Sequence, residues 1–469
     1  NGLLILNDAG IDVNLTDEDR GNFLLPNTNN PEASSGSGGL EIAAGTVRIE
    51  GDDTGMLLDG LLRVSGGTLD MAPVAGNGNN FVEISSSGNA QMEISDGTLD
   101  IGGQVRRATA NTTGVLSYRQ TGGTVNIATR NGSAEPARGI FEVMNLGSEF
   151  THTGGALKFF NSNNSANVPS VRLEPTTGHT DGSVITFGNT TGDTNMGIKS
   201  AIALNRIELI GTSNPTVKIY ELPLVLDSLT INADNTFDAN GFGLTFQGGS
   251  LINNGTFTSS GDVFNQQTTT FNSSDVQEIR GSGISNFWRL TKTGSDSLYL
   301  VDQNITVQDN LRLETGVFET KDNAVIVLGD VLNDARHSSA APTGSGPRPQ
   351  LGIVMAGTEK QRLLRSVSGT SYFGTLSIEN PNGVIIEDET FYTFQADQAL
   401  VLRDGVLDIS SNLFVIGPNA TVQNAFGNSG RDDFNVNNMV QTNSTFQDFG
   451  LRKIFNNGVE TDFVWPVGQ

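Results

Sequence analysis

The chain has 469 residues, no cysteine, 57 glycines and 36 % hydrophobic residues, with 27 Lys+Arg against 51 Asp+Glu for a formal charge of −24. That acidity repels phosphate backbones and anionic lipid surfaces, so nucleic acid is excluded as a partner, and the lack of cysteine excludes disulfides and thiol catalysis. No apolar run approaches the roughly 18 residues needed for a membrane-spanning helix, and no sustained helical stripe appears; short strands separated by many turns are expected.

Residues 1–39 hold one apolar strand, Leu3 to Leu6, followed by a polar stretch that closes as a flexible loop at Pro31 to Gly39. Over 40–200 a single frame recurs. Its clearest copy is Gln91-Met92-Glu93-Ile94-Ser95-Asp96-Gly97-Thr98-Leu99-Asp100-Ile101, apolar five and three residues before a glycine and again two and four after it. This is the period-2 signature of strand, corner, strand with one buried side. Leu40, Ile42, Gly45, Val47, Ile49 repeat it, as do Leu62, Val64, Gly67, Leu69, Met71, and weaker copies surround Gly123 and Gly155, where Gln120 and His152 take an inward slot. Later copies lie at Gly249, Gly316 and Gly405. Spacings of this size suit one coil of a β-solenoid per copy.

From about Ala201 the units lengthen: 201–268 is a partial long repeat, and 269–335 and 351–418 are two full copies of one block. Phe271, Gln277, Phe287, Leu290, Leu311 and Gly316 echo in Met355, Gln361, Phe373, Leu376, Leu400 and Gly405, a block of about three coils. His337 to Gln350, with Pro342, Pro347 and Pro349, reads as the loop between blocks, and 419–469 as a β-rich segment leading into a following domain. The expected fold is all-β, a right-handed parallel β-helix forming one long body. Ile42, Val64 and Ile94 should share a buried ladder. Glu41, Arg63, Glu93 and Arg119, each four before a corner glycine, should stack into an outward row of alternating charge.

The run Gln277-Glu278-Ile279-Arg280-Gly281, Phe287-Trp288-Arg289-Leu290, Asn304-Ile305-Thr306-Val307, Leu311 to Phe318 and Val325-Ile326-Val327-Leu328-Gly329 resembles the repeats of giant Bacteroidota surface proteins exported by type IX secretion. Leu451-Arg452-Lys453 and Phe463 to Gly468 resemble the segment that leads into their next β-domain. The resemblance implies an adhesin, filament or other extracellular surface protein, with copies of itself, further segments of the same polypeptide or surface glycans as partners.

Chemistry-bearing residues are sparse. His152, His179 and His337 have no metal-ligand spacing and no nucleophile elbow nearby. Asp70 and Asp100 each stand three residues after a glycine, so stacking puts both on one outer face and makes them the calcium candidates; the alternative is solvated charge that blocks edge association. Asp17-Glu18-Asp19, Asp52-Asp53 and Asp432-Asp433 match no spaced calcium loop, and Asn111-Thr112-Thr113, Asn254-Gly255-Thr256, Asp227 and Asp296 belong to triplets frequent by chance in so polar a chain. The reading is a structural segment of an extracellular fibre, stalk or adhesin, with no catalytic residues and no cofactor. The alternatives are a carbohydrate-active β-helix enzyme, lyase or hydrolase, whose charged residues would converge in one groove, and a non-catalytic sugar-binding module, which would need an exposed aromatic row.

Overall fold

The computed structural model describes residues 3–10, 12–15, 23–25, 38–50, 55–72, 78–189, 195–212, 214–260, 267–342, 350–387, 392–424, 434–443, 448–456 and 463–468. Among the described residues all regular structure is strand, and every recorded strand pair is parallel, in a β-solenoid. The chain divides into two compact units, Asn1–Phe242 and Gly243–Gln469.

In the first unit the coils are three-sided. One face stacks Leu3–Leu6, Gly39–Ile42 and the leading halves of Leu61–Met71, Asn89–Ile101, Val115–Ile127 and Glu149–Phe159. The second face carries the trailing halves of those strands and continues through Val184–Phe187, Leu204–Leu209 and Leu224–Ile231. The third runs from Phe23–Leu25 and Gly55–Leu58 through Phe81–Ile84, Val105–Arg107, Phe141–Val143, Val171–Leu173, Asn195–Ser200 and Thr216–Ile219 to Thr236–Asp238.

From Gly67 to Gly155 the glycine frame therefore lies inside long bent strands, whereas at Gly45 it separates Gly39–Ile42 from Thr46–Ile49. Gly97 adopts φ +76°, and a Cβ there would stand 2.1 Å from the Gly67 carbonyl of the coil below, so only glycine fits the bend. The ladder is present as expected: Ile42 pairs with Val64 and Val64 with Ile94, all buried. Gln120 and His152 continue it inward. Gln120 is satisfied there, accepting from the Tyr118 hydroxyl at 2.7 Å and donating to the Ala156 carbonyl at 3.1 Å.

The second unit has the same three-sided build. One face stacks Leu244–Phe246, Thr268–Phe271, Arg289–Lys292, Leu311–Leu313, Val331–Asn333, Gln361–Leu364 and Val384–Ile386. Phenylalanines fill the interior, as at Phe246 and Phe271, stacked with centroids 4.7 Å apart.

Two readings are revised. His337 is not in a loop: it sits on Arg336–Ser338, paired with Phe318 on one side, and is buried, because an aromatic ladder has room for a ring of either kind. Pro347 and Pro349 lie outside the described residues. The duplicated block is also longer than three coils. Leu290 lies on the face just described, whereas its echo Leu376 lies on the face of Gly352–Met355 and Thr393–Asp404, so the echo arrives three coils and two further faces on.

Candidate functional site

Asp70 and Asp100 are register partners on the second face of the first unit, as the spacing predicts. Burial pushes the Asp100 carboxyl above its ordinary value; the neighbouring Asp70 charge adds to this, while the Thr129 hydroxyl and Arg130 oppose it. Asp70 accepts from the Ala72 amide at 3.0 Å and faces Arg48 at 4.0 Å. No third His, Cys, Asp or Glu joins them among the described residues, so the pair offers a cation two carboxylates and little else. Asp17, Glu18, Asp19, Asp52, Asp53, Asp432 and Asp433 lie outside the described residues.

The three histidines are not brought together. His179 is exposed at the end of the strand Thr177–His179, 3.6 Å from Asp181. His152 is buried against Phe150, and burial lowers its pKa to about 4, the Gly155 backbone working the other way. His337 accepts from the Gly374 amide at Nδ1 and meets the Thr320 hydroxyl at Nε2, 3.1 Å away, while burial lowers its pKa to about 3. An acceptor Nδ1 places the single proton on Nε2, so the ring is a neutral piece of core. Asn111, Asn254 and Asp296 are exposed and Asp227 half-buried, on separate parts of the chain.

The alternating row is real over three members. Arg63 lies 2.8 Å from Glu93 and 3.4 Å from Glu41, and Ser65 donates to Glu41 at 2.8 Å. Arg119 pairs in register with Glu93 but is exposed.

Sequence reasoning missed a second charged column, on the third face. Glu83 and Arg106 pair at 3.2 Å; in later coils Glu142, wholly buried, takes Arg107 at 3.2 Å and Arg172 at 3.7 Å. Arg172 then meets Glu174 at 3.2 Å, and Lys199 bridges Glu174 and Glu221 at 3.0 and 2.7 Å. Glu142 is buried under the chain just before its own strand, the Gly139 amide donating to its carboxylate at 3.0 Å, and under Arg107 and Arg172 from neighbouring coils. The two arginines lie in other coils, so nothing local to Glu142 signals them.

Past Lys199 the third face opens into a groove of about 600 Å³. Its floor is Asn195–Ser200, Thr216–Ile219 and Thr236–Asp238, and its wall is the segment Ser162 to Ala166. Gly197, Lys218 and Asp238 form one row across it. Lys218 stands 3.8 Å from Asp238, whose other oxygen accepts from the Asn240 amide at 2.8 Å. Tyr220 donates its hydroxyl to the Ala166 carbonyl and so ties wall to floor.

Comparison with protein-family models, with curated proteins and with solved structures gave no match.

Proposed function

We propose that the chain is a structural segment of an extracellular bacterial surface fibre, stalk or adhesin, of the type IX-exported kind its repeats resemble, and that it works by attachment or assembly. The observation that carries this reading is an open edge. The strands Leu3–Leu6, Asp12–Leu15 and Phe23–Leu25 pair with Gly39–Ile42, Thr46–Ile49 and Gly55–Leu58 on one side, and no partner is recorded on the other among the described residues. Leu3, Leu4 and Ile5 are 41 %, 57 % and 52 % exposed. An exposed apolar strand edge of that kind pairs readily with another strand, and the occupant proposed here is a second copy of this chain.

The charged side chains are engaged with one another in ion-paired rows on the coil faces, which favours a structural role over hydrolysis. Glycoside hydrolysis takes a pair of carboxylates flanking the bond, and among the described groove residues Asp238 is the one carboxylate, already held by Lys218 and Asn240.

Sedimentation velocity and negative-stain electron microscopy over a range of concentrations test the reading. Reversible end-to-end association is expected, weakened by Leu4→Lys. A monodisperse monomer at every concentration, unchanged by Leu4→Lys, would overturn it.

A further inference from the structure

The groove on the third face of the first unit is built differently from the rest of that face. One stretch back, the outward position of Glu142 is sealed by the Gly139 backbone and two arginines. At Asn195, Thr216 and Lys218 the outward side chains are left half-buried or exposed, with bare backbone at Gly197 between them, walled on one side by Ser162 to Ala166.

We propose that this groove binds a neutral oligosaccharide laid across the strands, along the direction in which the coils stack. Three features specify that class. First, the floor repeats at the strand spacing of about 4.8 Å, a length comparable to one sugar ring, so successive rings meet successive coils. Second, the lining is made of hydroxyl and amide groups from Ser162, Asn164, Ser165, Asn195 and Thr216, suited to the donor-and-acceptor character of sugar hydroxyls. Lys218 and Asp238 balance each other's charge, so the groove selects neither an anion nor a cation.

Third, Gly197 makes room for the one ring of the site. A Cβ at that position would lie 3.0 Å from the Tyr220 ring and 3.1 Å from the Pro169 backbone. The glycine thus lets an aromatic surface border the floor, where the C–H face of a sugar can pack on it. Recognition here rests on hydrogen bonds and one tyrosine, in place of the row of aromatics expected of a dedicated sugar-binding module. The proposal does not rest on the fibre reading: a monomer can bind sugar, and a fibre can lack the site.

The test is titration of the full chain with neutral hexasaccharides of the gluco-, manno- and xylo- series, followed by saturation-transfer NMR and calorimetry. Binding by at least one series is expected, weakened at least tenfold by Thr216→Trp, which fills the groove from an outward position, and unchanged by Ser228→Trp on the second face. If Thr216→Trp does not fold, Lys218→Ala is read instead, with at least threefold weakening expected. Failure of every series to bind, binding unaffected by the groove variants, or equal loss with Ser228→Trp would each overturn the proposal.

Discussion

At the scale of single residues, side chains in this protein interact mainly with their counterparts one coil away. Arg63 makes this concrete, since its guanidinium reaches a glutamate in the coil on either side, 22 and 30 residues distant in sequence. Each such half-exposed pair contributes about 0.2–1 kcal/mol, so their main effect is on register: a slip of one residue would turn the whole row inward. Arg63→Glu would set three like charges in a line. Thermal unfolding should then fall by more than it does for Arg206→Glu, an exposed arginine with no acidic register partner, Val184 and Ser228 being its neighbours. The excess should shrink at high salt, because screening acts on exposed charge. Equal losses for the two variants would mean that the row adds nothing to stability.

At the scale of elements, corners are closed by side chains of the following coil. Gln277 donates to the Phe246 and Gly249 carbonyls at 3.2 and 3.0 Å, and its echo Gln361 donates to Val327 at 3.1 Å and to Gly329. The two differ at the other end of the amide. Gln361 Oε1 accepts from the Gly357 amide at 2.8 Å and from Asn380 at 3.0 Å, whereas Gln277 Oε1 is buried without a partner. Each orphaned buried group costs about 1–3 kcal/mol, so Gln361→Leu should destabilise more than Gln277→Leu in paired denaturant titrations. The reverse order would mean that the carbonyl bonds dominate.

The glycine frame was legible because two local signals coincide in it, alternation and an obligatory left-handed residue such as Gly97. The echo was legible too, but its rotation from one face to the next was not, since a sequence offset counts residues while the faces are set by how many corners intervene. The Glu142 column and the groove were invisible for a related reason. The first depends on Arg107 and Arg172 reaching Glu142 from neighbouring coils and the second on the segment Ser162 to Ala166 lying beside strands of later coils, and both contacts are long-range. His337 was misplaced because nearby prolines outweighed the alternation of a three-residue strand.

At the scale of the whole molecule, pH shows how the core and the acidic surface oppose each other. The net charge of −24 favours a lower pH, where carboxylates are neutral and self-repulsion falls. The buried bases of the second unit favour a higher one. His337, facing Thr320, Gly374, Phe318 and Phe373, has its pKa lowered by burial from 6.5 to about 3; Lys292, in the ladder between Phe271 and Leu313 and donating to the Gly294 carbonyl, has its own lowered by burial from 10.5 to about 8, with Asp296 opposing. Each folded pKa lies below the unfolded one, so as pH falls the unfolded chain takes the proton first. Stability held above the unfolded pKa is therefore lost on the way down to the folded one, in the window from 10.5 to about 8 for Lys292 and from 6.5 to about 3 for His337. The limiting slope is about 1.4 kcal/mol per pH unit for each group. Chemical denaturation across pH should show both windows, with stability rising as pH rises through each. His337→Phe should make the acid window shallower, leaving the part that His152 contributes between 6.5 and about 4, and Lys292→Met should flatten the alkaline one, whatever offset each substitution adds at neutral pH. Slopes unchanged by the substitutions would place these side chains in solvent, outside the ladders that the fold assigns to them.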